Sequence, residues 1–141
     1  MTHVTVELHD APIERFLGDD RIGDPDVGAH AWFSGVTRRT TGDRITASLF
    51  YEARRPMAER EMGRIAREAV ARFHLTAVLV VHRLGDCPVG EASIVIGGSS
   101  PHRVDALAAL PWMMDRIKAD VPIWKQDIAP EGDPRWVHPA P

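Results

Sequence analysis

Residues 77–81, Ala77-Val78-Leu79-Val80-Val81, form an unbroken apolar run that is closed by His82. A short run rich in β-branched side chains predicts a buried strand, because such side chains pack well on a pleated surface. A buried strand needs partners, and the rest of the sequence supplies them. Residues 3–9 alternate from His3 to His9, and Ala29 to Val36 hold Trp32 and Phe33. Ile45 to Glu52 alternate again. Glu91 to Ile96 return after the turn Gly85-Asp86-Cys87-Pro88-Val89-Gly90, and Ile123 to Ile128 read as a late strand that Trp136-Val137 extend with a short one.

Helices fall between these strands. Asp10 and Pro12 suit the start of a short helix with Ile13, Phe16 and Leu17 on its apolar face. Pro56 opens a long helix to about His74, in which Met62, Ile65, Ala69 and Phe73 form one apolar stripe. A second long helix runs to about Asp120, with Ser100 as its N-cap and Pro101 as its first residue. Pro122 ends it, since the residue before a proline avoids helical angles. The stretch Gly18 to Gly28 is a loop, and the polar segment Thr37 to Arg44 reads as a mobile one. The order predicts a single α+β domain over residues 1–141. A largely antiparallel sheet packs there with two long helices and one short N-terminal helix.

Composition narrows the function. The chain has 141 residues, 44% hydrophobic and 26% charged, which suits one ordinary globular domain. No apolar run approaches the roughly 18–20 residues of a membrane span. The N-terminus lacks the basic-then-apolar pattern of a signal peptide. A formal net charge of −3 and a pI near 6.1 argue against a broad nucleic-acid surface. The single cysteine, Cys87, allows no internal disulfide, so the expected setting is the reducing cytoplasm. The seven histidines show no metal-ligand spacing, and there is neither a Gly-x-Ser-x-Gly elbow nor a phosphate loop.

What remains is cationic. Of 17 basic residues, fifteen are arginine, and the two lysines, Lys118 and Lys125, stand together near the C-terminus. Lys118 borders the apolar stripe Leu107, Leu110, Met114, Ile117, Val121, and in an extended segment Lys125 shares a face with Ile123 and Asp127. A lysine drawn from water loses its proton more easily, which arginine does not do usefully. The pair could thus serve as base or nucleophile and as anion holder, or as two snorkelling surface side chains. Arg38-Arg39 with Arg44 could present forks to a phosphate or simply line a solvated loop. In Gly97-Gly98-Ser99-Ser100-Pro101-His102-Arg103, the helix N-terminus favours an anion, with an ordinary capped helix as the alternative. Cys87 is either a nucleophile or a small turn residue.

A set of segments in order carries a resemblance. Phe33-Ser34-Gly35 with Arg38 and Gly42 comes first, followed by Leu49-Phe50-Tyr51-Glu52-Ala53, Pro56-Met57-Ala58-Glu59 and His82-Arg83-Leu84-Gly85. Pro88-Val89-Gly90-Glu91, Ser99-Ser100-Pro101-His102-Arg103, Lys118, Val121-Pro122-Ile123-Trp124-Lys125, Glu131-Gly132 and Trp136-Val137 complete it. The chain resembles the catalytic (large) subunit family of molybdopterin synthase. The resemblance implies an α+β fold and a homodimer within a heterotetramer. It also implies a small ubiquitin-like sulfur-carrier subunit whose Gly-Gly C-terminus ends in a thiocarboxylate. Sulfur from that tail converts cyclic pyranopterin monophosphate into the molybdopterin dithiolene, a step of molybdenum cofactor biosynthesis.

By the same resemblance Lys118 and Lys125 are the catalytic lysines, and Arg38, Thr37, His102, Arg103, Gln126 and Asp127 contact substrate. His102 and Arg103 are expected to reach the site of a neighbouring copy. No cofactor or metal of the chain's own is implied, and no nucleic-acid or membrane partner. Arg39 and Arg54 depart from residues common in the family at those places.

Overall fold

A computed structural model describes residues 3–137. They run as β1 (His3–His9), two 3-10 turns (Glu14–Phe16 and Asp20–Ile22), β2 (Ala29–Val36), β3 (Thr40–Thr41), β4 (Arg44–Ile45) and β5 (Ser48–Ala53). Then follow α1 (Arg55–Phe73), β6 (Ala77–Arg83), β7 (Gly85–Pro88), β8 (Ala92–Ser100), α2 (Arg103–Asp120), β9 (Ile123–Ile128) and β10 (Pro134–Val137). The apolar run of the sequence is β6, and every residue of it is buried.

That burial comes from cover on both faces. Alternate side chains of a strand point to opposite sides. Val78 and Val80 face α1 and α2, where they meet Met62, Ile65, Ala69, Ile94, Ile96, Met113 and Ile117. Leu79 and Val81 face the other way, onto Ile13, Phe16, Ile22 and Val95. The two 3-10 turns therefore act as a lid on the second face, in place of the expected short helix. Each fully buried aliphatic side chain here contributes about 1.5–3 kcal/mol.

The α+β architecture matches expectation, but the strands divide into two sheets. The first has the order β1-β6-β8-β2, parallel between β1 and β6 and antiparallel elsewhere. The second, β10-β9-β5-β7, is antiparallel throughout. Tyr51, Leu84 and Cys87 form a small core of their own beside the second sheet. The turn after Leu84 contributes β7, and the segment 37–44 contains most of the small hairpin β3–β4, with Gly42 at a φ of 59° in its turn.

β8 also runs past Ile96, through Gly97 and Gly98 to Ser100. Tertiary packing overrides the turn-like sequence there: the Trp32 ring lies over Gly97, where a Cβ would come within 2.4 Å of it. As a result Ser100 and Pro101 precede α2 instead of opening it. His102 is the N-cap residue, with no side-chain cap bond. The Ser100 hydroxyl still serves the first turn, donating to the His102 carbonyl at 2.5 Å and accepting from the Ala106 N–H at 3.1 Å. Midway along α2, Pro111 removes the N–H that would have bonded to the Leu107 carbonyl.

Candidate active site

Lys118 sits in the last turn of α2, where a cation suits the negative end of the helix. The chain then turns at Val121-Pro122 and enters β9, which carries Lys125 on its third residue. In the register of the second sheet Lys125 lies opposite Tyr51 of β5. Lys125 is half-buried, and loss of water is the main cause that pushes its ammonium below the ordinary lysine range. The positive charges of Lys118, Arg44 and Arg38 push the same way, and the Asp127 carboxylate opposes them. One site thus collects Lys118, Lys125, Arg38 and Arg44. Beside it lies an open cleft of about 310 Å³, lined by Phe33, Leu110, Pro111, Met114, Asp115 and Lys118.

The other expected residues divide. Arg38 is exposed at the end of β2, within electrostatic reach of Lys125. Thr37 is only 2% exposed, and its hydroxyl donates to the Cys87 sulfur at 3.3 Å. Its backbone holds the same segment, donating to the Glu91 carbonyl and accepting from the Gly90 N–H. The Thr37 side chain is thus enclosed within the chain, and its backbone fixes the segment that leads into Arg38. Gln126 lies on the opposite face of β9 from Lys125, in line with Phe50 and Trp136, as strand alternation demands. Asp127 shares the face of Lys125 but is 1% exposed and fully engaged within the chain. It accepts from the Thr46 hydroxyl at 2.8 Å, and Arg44 and Arg135 approach it at 2.8 and 3.6 Å.

His102 and Arg103 are exposed at the other end of α2. Lys118 lies fifteen positions after Arg103 along α2, a span of about 22 Å at ~1.5 Å per residue. One chain therefore does not bring the His-Arg pair and the lysines into a single pocket.

Two features escaped the sequence reading, and the two readings of Cys87 are separated by the structure. His82 is buried in β6, its ring edge-on to Tyr51, and its Nδ1 donates to the Arg83 carbonyl at 2.7 Å. Burial, backed by the charge of Lys125, lowers its pKa to about 4, so it is neutral near pH 7. Thr46 and Arg135, which hold Asp127, belong to no motif. Cys87 is wholly buried and its thiol is pushed above its ordinary pKa by burial, the opposite of an activated nucleophile. Among the described residues no group of three His, Cys, Asp or Glu could hold a metal ion, and no helix is long and apolar enough to cross a membrane.

The α+β scaffold thus presents two amines, one of them half-buried, among guanidinium groups beside a largely apolar cleft. The comparisons with known proteins specify the family. Residues 8–120 match the family model described as MoaE protein. The chain is 38% identical over 135 residues to the molybdopterin synthase catalytic subunit of Aspergillus niger, covering 96% of this chain and 74% of that one. It is 40% identical to the subunit of the same name from Drosophila willistoni, over 92% of this chain but 35% of that longer protein. A crystal structure of molybdopterin synthase from Staphylococcus aureus superposes with a TM-score of 0.87 at 33% identity, covering 94% of this chain and 96% of that one. The chain belongs to the MoaE family.

Proposed function

We propose that the chain is the catalytic subunit of a molybdopterin synthase, a sulfurtransferase of molybdenum cofactor biosynthesis. It transfers sulfur from the thiocarboxylated Gly-Gly C-terminus of a small ubiquitin-like carrier to cyclic pyranopterin monophosphate. The observation that carries this reading is the half-buried Lys125 within electrostatic reach of Lys118, which itself lines a largely apolar cleft. A thiocarboxylate and a phosphate are both anions, and a cationic site bounded by apolar walls holds them more strongly than water does. The open cleft lined by Phe33, Leu110 and Met114 offers an apolar wall along which an extended tail could reach Lys118. Sulfur attack needs an acid to activate the electrophile, and an amine whose pKa lies below the usual lysine range exchanges protons more readily near neutrality.

Arg38 supplies a fork for the phosphate. Thr37 and Asp127 act through it and Lys125 by fixing the backbone and charges around them. Gln126 faces away from the lysines and takes no direct part in the transfer. The span along α2 supports a homodimer in which His102 and Arg103 of a second copy complete the site. Val104 and Leu107, 70% and 57% exposed beside that pair, offer the apolar contact such a copy would cover. Two carriers on this dimer would make a heterotetramer. The buried, unpaired Cys87 suits the reducing cytoplasm. The sulfur comes from the carrier, and the alternative of a persulfide on Cys87 meets a thiol without access.

The test is reconstitution. Purified chain, thiocarboxylated carrier and pyranopterin are expected to give the dithiolene product. A folded dimer that binds the carrier and gives no product would overturn the reading in favour of a docking module.

A further inference from the structure

We propose that Arg44 is a positioning residue for the lysine site: set against the buried Asp127 carboxylate, it fastens the β3–β4 hairpin beside the site and keeps a fixed cation near Lys125. This rests on the reading of Lys125 as a working amine. The geometry begins at Asp127, whose side chain is almost wholly enclosed. A buried carboxylate must be paired and hydrogen-bonded, or it costs several kcal/mol. Thr46 provides the hydrogen bonds, 2.8 Å to Oδ1 and 2.9 Å to Oδ2. Arg44 provides the near charge, its Nε 2.8 Å from Oδ2 as an ion-pair contact without an aligned hydrogen bond. Arg135 adds a more distant one from β10.

The same residues tie down the hairpin. Thr46 donates its backbone N–H to the Arg39 carbonyl at 2.8 Å, closing the base, while its hydroxyl grips Asp127. Arg44 pairs with Thr41 across the hairpin itself. Arg38 leaves the structure next to that base, so the position of the phosphate-binding candidate depends on this knot. Electrostatically the knot is one-sided. Lys125 faces Lys118 from α2, Arg38 from the segment after β2, Arg44 from β4 and Asp127 from its own strand. Neutral His82 of β6 and the Tyr51 ring of β5 lie behind it. Asp127 is the carboxylate in this set, and Arg44 is its closest cation. Removing Arg44 therefore deletes a repelling charge and unmasks an attracting one, and both changes hold the proton on Lys125 more tightly.

The chain's two lysines make this directly measurable. Reductive methylation of the purified full-length chain with ¹³C-formaldehyde labels both side-chain amines and the N-terminus. The Lys125 signal is assigned by its loss in Lys125→Arg. In Arg44→Gln its titration midpoint is expected to rise by about half to one unit. Arg44→Lys, which keeps the charge, is expected to stay near the native midpoint. Arg44→Gln with Asp127→Asn is expected to fall back toward it. An unchanged midpoint in Arg44→Gln, or equal shifts in Arg44→Gln and Arg44→Lys, would overturn the proposal. In the reconstituted reaction the pH profile should move upward with the midpoint. A shifted midpoint in a protein without any turnover would sink the proposed function and leave the role of Arg44 standing.

Discussion

Tyr51 and His82 meet edge to face, their ring centroids 5.0 Å apart and their planes at 73°, in the interior behind Lys125. The contact helps seal His82 from water, and its pKa drops from 6.5 to about 4. A proton on this ring is welcome only in the unfolded chain. Stability is therefore unaffected by His82 above about pH 6.5 and falls as the pH drops from there toward 4. The window is worth on the order of 3 kcal/mol. Urea melts at pH 7 and 4.5 check this. His82→Gln should be less stable at pH 7 but lose less on acidification, and an equal loss in both proteins would remove His82 as the cause.

The amines differ from arginines in what they can release. Lys125→Arg keeps a positive charge yet is expected to lower sulfur transfer by roughly 10²–10⁴-fold, as removal of a proton-transfer group does. Lys118→Ala should abolish turnover while the dimer persists. Product formation and size-exclusion chromatography together decide it, and full activity in Lys118→Ala would dismiss that lysine.

Because the two ends of α2 lie far apart, a shared site predicts complementation. A His102→Ala chain and a Lys118→Ala chain, each inactive alone, should regain roughly a quarter of native activity when their subunits exchange at equal amounts, since half of the pairs carry one intact site. No recovery after proven exchange would confine each site to one chain.

Cys87→Ala should leave sulfur transfer near the native rate and cost about 1–2 kcal/mol by emptying space under Thr37. Loss of turnover in a stable variant would restore the cysteine to the chemistry.

Gly28 admits no side chain. A Cβ there would lie 2.4 Å from the Pro101 carbonyl oxygen, a backbone atom at the entrance to α2. Gly28→Ala is expected to destabilise by about 1–3 kcal/mol, read as a lowered melting temperature.

Local patterns made part of this legible. The β-branched run gave β6, Pro56 and a 3.6-residue stripe gave α1, and alternation along β9 put Lys125 with Asp127. That same alternation, taken strictly, also turns Gln126 to the other face. What was hidden depends on distant residues. Gly97 to Ser100 read as the lead-in to a helix because the Trp32 ring that packs on Gly97 in the strand comes from β2. The four residues of β7 have no alternation of their own and are strand through pairing with β5. Asp127 became an anchored interior charge through Thr46, 81 positions away, and Arg44, farther still in sequence.

β1 lies in parallel beside β6, His3 opposite Ala77 and His9 opposite Arg83. β1 therefore waits for its partner until the whole stretch between His9 and Ala77 has been made. Val4, Val6 and Leu8 stay wet during that wait, and the long loop must close before their contacts repay it. β1 thus joins the first sheet through a contact of long sequence separation, which closes more slowly than the local contacts of α1.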